Sequence, residues 1–163
     1  MKIIVFRAKT LLIICLIIGV LLSTLYTPAV QSVFSASNGR SLPIYSVQTE
    51  EKKVAIGINC AWDDSDIPSM LSCLAQQEVN ATFFLLGEWA EKYPVSAATI
   101  AKSGQEIGSH SYSHRDLDSL SQIEILNEIS QSQQSIQNAC GQTPVLFRPP
   151  SGSYNDTVID CIH

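Results

Sequence analysis

The hydrophobic pattern of this chain changes period several times after residue 50, and each change marks an element. Val54-Ala55-Ile56-Gly57-Ile58 is a short apolar run bounded by charge, which predicts a strand. An acidic loop with Asp63, Asp64 and Asp66 follows, and apolar residues then recur with helical spacing at Ile67, Met70, Leu71 and Leu74. Asp66 ahead of Ile67-Pro68 suits a helix N-cap with proline in the first turn. The same alternation repeats. Ala81 to Leu86 is β-branched and aromatic, Glu88 to Lys102 is helical apart from a break at Pro94, and Glu106-Ile107-Gly108 predicts a short third strand. Ser121 to Ala139 reads as a polar amphipathic helix, Val145 to Phe147 as a fourth strand, and Asn155 begins another helix. Strands alternating with helices predict a parallel α/β architecture, open or barrel-like. Ile159 to His163 stops inside a helix with no cap, so the domain is expected to be truncated at its C-terminus.

Upstream the pattern is different in kind. Lys2, Arg7 and Lys9 flank an apolar run from Leu11 to Leu25 interrupted only by Gly19, Ser23 and Thr24. With its apolar neighbours the stretch approaches the roughly 20 residues that span a bilayer, so residues 1–30 are expected to form a signal-anchor or transmembrane segment. A cleavable signal peptide is the competing reading, although the small-residue pattern Val33-Phe34-Ser35 lies well beyond the apolar core. The positive N-terminal side places that end in the cytoplasm. The expected location is therefore the cell membrane, single-pass, with the domain extracytoplasmic, or secreted if the segment is cleaved. Residues 31–51, Ser-rich with Asn38-Gly39 and Pro43, read as a linker, leaving residues 52–163 as the domain.

Charge narrows the partners. From Glu50 onward there are 6 basic and 15 acidic side chains, net −9, which excludes a nucleic-acid surface built on clustered Lys and Arg. Cys15 lies in the apolar segment. Cys60, Cys73, Cys140 and Cys161 fit no CxxC zinc spacing and read mainly as small hydrophobes, with a Cys140 to Cys161 disulfide as the alternative.

Two segments can carry chemistry, and both directly follow predicted strands, where α/β folds place their sites. His110-Ser111-Tyr112-Ser113-His114 sets two imidazoles four residues apart, and on a helical turn both would face the same way. Two imidazoles on one face supply two of the three protein ligands of a catalytic metal site, against the alternative of ordinary surface or core histidines. In Phe147-Arg148-Pro149-Pro150-Ser151-Gly152 two prolines stiffen the loop, with Gly152 as its permissive position. Such rigidity lets Arg148 orient a carboxylate and lets backbone N–H groups face an oxyanion. The alternative is a proline-stiffened turn bearing a surface arginine.

Taken together, Lys53 to Ile58 before an acidic loop, Ala81-Thr82-Phe83-Phe84-Leu85-Leu86-Gly87, Gly104 to His114 and Phe147-Arg148-Pro149-Pro150 resemble, in order and spacing, the NodB-type polysaccharide deacetylases, carbohydrate esterase family 4. The likeness runs from about Lys52 to His163. It implies a distorted, incomplete (β/α) barrel and an Asp-His-His site for a divalent metal, zinc first, with cobalt or nickel as alternatives. His110 and His114 take the two histidine positions. The resemblance makes Arg148 the arginine that holds an aspartate base, and the loop of Pro149, Pro150 and Ser151 the one that helps bind the oxyanion. It also implies a later histidine as general acid, and His163 lies too early to be that residue.

The first motif departs from the family pattern. Where the family has an Asp-Asp pair, this chain reads Asn59-Cys60. Asparagine cannot accept a proton as a general base, and cysteine would be an unusual third ligand although its thiolate binds zinc. Asp63 or Asp64, on the same loop, could bring a carboxylate to the metal or to water, and a solvated acidic loop is the alternative. The expected function is hydrolysis of N-acetyl groups in cell-wall polysaccharide, peptidoglycan above chitin or xylan, with the membrane as a second partner through residues 1–30. The runner-up is a catalytically impaired glycan-binding or structural envelope or sporulation factor on the same fold. The chain as it stands is expected to be inactive on its own.

Overall fold

The computed structural model describes residues 41–163. Three short strands, β1 (Gly57–Cys60), β2 (Thr82–Leu85) and β3 (Glu106–Ser109), form a parallel sheet in the order β1-β2-β3. Helix α1 (Ile67–Gln76) connects β1 to β2, and α2 (Gly87–Lys92) and α3 (Pro94–Lys102) connect β2 to β3. Beyond β3 come α4 (Gln122–Cys140) and α5 (Asp156–Ile162), with single 3₁₀ turns at Leu117–Ser119 and Pro150–Gly152. The expected signal-anchor lies outside the described residues. Among the described residues no helix is long and apolar enough to cross a membrane.

The register explains the core. Ile58, Phe83 and Ile107 stand side by side, as do Cys60, Leu85 and Ser109 two residues on, so all six share one face of the sheet. That face joins Ile67, Trp89, Ala97, Ile100 and Ile136 in the main hydrophobic cluster. Removing side chains such as Phe83, Leu85, Ile100 and Ile136 from water contributes about 1.5–3 kcal/mol each. The opposite face carries Gly57, Asn59, Thr82, Phe84, Glu106 and Gly108. A smaller cluster of Leu117, Ile125 and Val158, with Phe147 and Tyr154 against it, secures the C-terminal segment.

Local signals mostly do what their chemistry predicts. Ser121 caps α4 in a reciprocal box with Glu124, whose carboxyl is drawn down to about 2 by bonds from the Ser121 backbone and hydroxyl and from Arg115. Gly141, at φ 76°, ends that helix in the left-handed conformation. Asn155 caps α5 by accepting from Val158 N–H at 3.0 Å, and the break predicted at Pro94 separates α2 from α3.

Three expectations are corrected. Strand β1 starts at Gly57 rather than Val54, which is 89% exposed, because β2 offers its first partner only at Ile56, whose carbonyl accepts from Thr82 N–H. Asp66 occupies the N-cap position of α1 without a side-chain capping bond; its carbonyl accepts from Ser69 Oγ instead. Val145 to Phe147 forms no strand among the described residues, only a single parallel bridge from Phe147 to Ser109. Cys60, Cys73, Cys140 and Cys161 are all free thiols.

Candidate functional site

At the C-terminal end of β3 the backbone continues straight into the histidine segment. His110 N–H donates to Leu85 O at 2.8 Å, which carries the ladder one residue past the strand and leaves the imidazole only 2% exposed. Arg148 is fixed against the same strand, its N–H donating to Ser109 O at 2.8 Å. His110 Nδ1 lies 2.7 Å from the Arg148 carbonyl, and a carbonyl only accepts, so the proton sits on Nδ1 and Nε2 keeps its lone pair. Burial pushes the His110 imidazole below its ordinary range, against the opposing effect of that hydrogen bond. The His110 and His114 rings lie 5.2 Å apart at 79°, and the Trp62 ring stands 6.0 Å from His114.

The pairing of the two imidazoles does not come from a helical turn. Residues 111–114 are irregular, and Ser111 at φ 73° and His114 at φ 61° are both left-handed, a conformation that costs a non-glycine residue about 1 kcal/mol or more. Two sets of bonds hold it. Gly87 and Glu88, at the start of α2, donate their N–H groups to the carbonyls of Ser111 and Tyr112. From the other side Glu128 of α4, 7% exposed, accepts from Ser111 Oγ, Tyr112 N–H, Ser113 N–H and Ser113 Oγ at 2.6–3.0 Å. Burial alone would raise the Glu128 carboxyl, but these four bonds outweigh it and hold the group below its ordinary range. Glu128 was not singled out in the sequence. Its inward placement could have been read from Glu128, Ser132 and Ser135, a polar stripe at helical spacing, all three buried.

Arg148 reaches across the opposite face of the sheet. Its guanidinium lies over the Phe84 ring at 4.1 Å and donates from Nη1 to Asn59 Oδ1 at 2.9 Å. Two glycines make room for this arrangement. A Cβ on Gly57 would collide with the guanidinium, and one on Gly108 would meet the Phe84 ring at 2.5 Å. Asn59, His110, Arg148 and Pro149, with Tyr45 and Tyr154, line a cavity of about 450 Å³. Tyr45 belongs to the segment read as linker, and its hydroxyl is 2.5 Å from that of Tyr154. In the proline loop Pro150 is buried and Ser151 exposed; both Ser151 (φ 56°) and Gly152 (φ 66°) are left-handed, so Gly152 is not the only unusual position there.

At the β1 end the candidate residues lie apart and bond to different neighbours. Cys60 sits one residue after Asn59 and therefore on the core face, where burial first and the Asp66 charge second push its thiol up to about 12. The thiol is therefore held in its protonated form within the core. Asp64 accepts from Ser96 Oγ of α3 at 2.5 Å, and Asp63 accepts from the Ser65 backbone and hydroxyl. The described residues contain no group of three or more His, Cys, Asp or Glu side chains placed to hold a metal ion. Among the described residues, then, His110 and His114 stand as a pair of imidazoles with no third such side chain grouped with them.

Comparison with known proteins fits this frame. Residues 46–163 match the family described as polysaccharide deacetylase. The chain belongs to that family. It is 40% identical over 118 residues to the Bacillus subtilis protein called uncharacterized protein YlxY, covering 72% of this chain and 37% of that one. It is 37% identical over 108 residues to a Bacillus cereus peptidoglycan-N-acetylglucosamine deacetylase, covering 66% of this chain and 39% of the relative. The chain therefore spans about two fifths of these relatives. Among solved structures, a CE4 family pseudoenzyme from Bacillus anthracis superposes with a TM-score of 0.67 at 37% identity, over 69% of this chain and 40% of that one.

Proposed function

We propose that this protein is a metal-dependent deacetylase that hydrolyses N-acetyl groups of cell-wall polysaccharide, peptidoglycan first. The observation that carries the reading is the pairing of His110 and His114 beside Arg148 at the strand ends, in a member of this family. The peptidoglycan deacetylases among its relatives support the substrate class. A divalent cation bound at the imidazoles, zinc first, would supply Lewis acidity toward an acetamide. His110 would offer Nε2 to it, the Arg148 guanidinium would orient the polar group on β1, and the loop of Pro149, Pro150 and Ser151 would face the developing oxyanion. Asp63 or Asp64 could serve as base only after the loop swings away from its present bonds, including that of Asp64 with Ser96. The same reading takes the three strands as part of a distorted, incomplete (β/α) barrel. It also takes residues 1–30 as a single-pass anchor that holds the domain outside the cell membrane.

A second reading has a specific observation in its favour. Arg148 meets the amide of Asn59, a side chain that cannot take a proton, so the protein could bind glycan without cleaving it. Acetate release from an N-acetylglucosamine oligomer, measured with zinc on the native protein isolated from its source and on its Asn59→Asp variant, separates the two. Turnover by the wild type supports the deacetylase. Binding without turnover, with acetate release appearing only in Asn59→Asp and rising by about 10²-fold or more over background, supports the second reading.

A further inference from the structure

We propose that Glu128 is a positioning residue for His110 and His114, its carboxylate setting the conformation of the loop between the two imidazoles. The functional meaning of this rests on the proposed metal role of the pair, whereas the clamp itself stands on hydrogen bonds within the fold.

The geometry is specific to a carboxylate. Oε2 accepts from Ser111 Oγ at 2.7 Å, Tyr112 N–H at 3.0 Å and Ser113 N–H at 2.9 Å, while Oε1 accepts from Ser113 Oγ at 2.6 Å. Four donors converging on one buried point require an acceptor-only group with several lone pairs, which among side chains means Asp or Glu. The three residues it holds are the ones that separate His110 from His114, and the left-handed Ser111 and His114 flank its backbone bonds. Carbonyls of the same loop are taken by α2, so the loop's donors and acceptors are divided between two helices. Farther along α4, Ser132 Oγ lies 2.8 Å from Ser109 Oγ, and Ser135 Oγ donates to Glu91. That helix therefore meets the end of β3 through a buried polar stripe where apolar packing would have served stability alone.

Removing the carboxylate frees two N–H groups and two hydroxyls in a buried place, and the loop is then expected to relax its left-handed residues and turn His114 away from His110. Glutamine keeps the shape and can donate to Ser113 Oγ in place of accepting from it, so it should restore part of the order.

The test uses the full chain, metal-free and isotope-labelled, as wild type, Glu128→Ala, Glu128→Gln and Ile100→Ala, the last a core change on α3 remote from the loop. Backbone amide signals of Tyr112 and Ser113 and ring signals of both histidines are recorded, followed by titration with zinc chloride alone. Glu128→Ala is expected to move these signals and to weaken zinc by about ten-fold or more, with Glu128→Gln intermediate. Ile100→Ala should lower the melting temperature and leave the ring signals in place. The proposal is overturned if Glu128→Ala leaves the ring signals and zinc affinity at wild-type values, or if Ile100→Ala moves the rings as far. Should Glu128→Ala fail to fold, unchanged amide signals in Glu128→Gln overturn it and shifted ones support it. A wild type that binds no zinc defeats the metal reading of the pair, while the amide and ring signals still decide the clamp.

Discussion

The two sides of the candidate site are built to different standards. On the β3 side, His110 and Ser111 are buried, the loop is bonded to α2 and α4, and a carboxylate collects four donors from it. On the β1 side, Trp62 is 79% exposed, Asp63 and Asp64 bond to neighbours outside the cavity, and the residue facing Arg148 is a neutral amide. The contrast teaches that the loop carrying the imidazoles is tied down by the elements packed on both sides of it, whereas the carboxylates of the β1 loop are bonded away from the cavity.

The most severe way to break the comparison is to remove its ordered half. His110→Ala with His114→Ala is expected to abolish zinc binding measured by calorimetry, whereas Asp63→Asn with Asp64→Asn should leave it unchanged. Equal losses in the two double variants would mean that both sides ligate.

Stability offers the next contrast, through two tryptophans. Trp89 is 2% exposed and donates Nε1–H to the Asp63 carbonyl at 3.0 Å, so Trp89→Ala should cost about 3–5 kcal/mol by denaturant unfolding. Trp62→Ala should stay within about 0.5 kcal/mol. A large loss at Trp62 would show that the β1 loop is better packed than its exposure indicates.

The effect that is smallest at neutral pH, and grows only in alkali, concerns Cys60. Its thiol is raised from 9.0 to about 12 in the folded protein, so the folded state keeps a proton that the unfolded chain gives up. The associated stability is fully present below pH 9 and is lost as the pH rises toward 12, at about 1.4 kcal/mol per unit. Cys60→Ala should flatten that alkaline loss. An unchanged profile would place Cys60 in contact with solvent.

Much of this was legible in the chain. Ala81 to Leu86 and Ser121 to Ala139 announced β2 and α4 to within a residue or two, because an apolar run and an amphipathic period are strong local signals. The histidine pair and Arg148 were legible as residues. The geometry that joins the imidazoles was not, since left-handed Ser111 and His114 are imposed by bonds from α2 and α4 that no local pattern encodes. The fourth strand failed for a similar reason. Val145 is apolar enough for a strand, yet it is 87% exposed, and only Phe147 finds a partner. The separate fates of Asn59 and Cys60 could have been foreseen, because neighbouring residues on a strand point to opposite faces.

That last alternation sets two different constraints across a single peptide bond. Asn59 bonds to Arg148 in the cavity, and Cys60 packs in the core. A replacement at the first position changes what Arg148 meets and leaves the core cluster intact, so its effect on folding is expected to be small. One at the second position is judged on packing first.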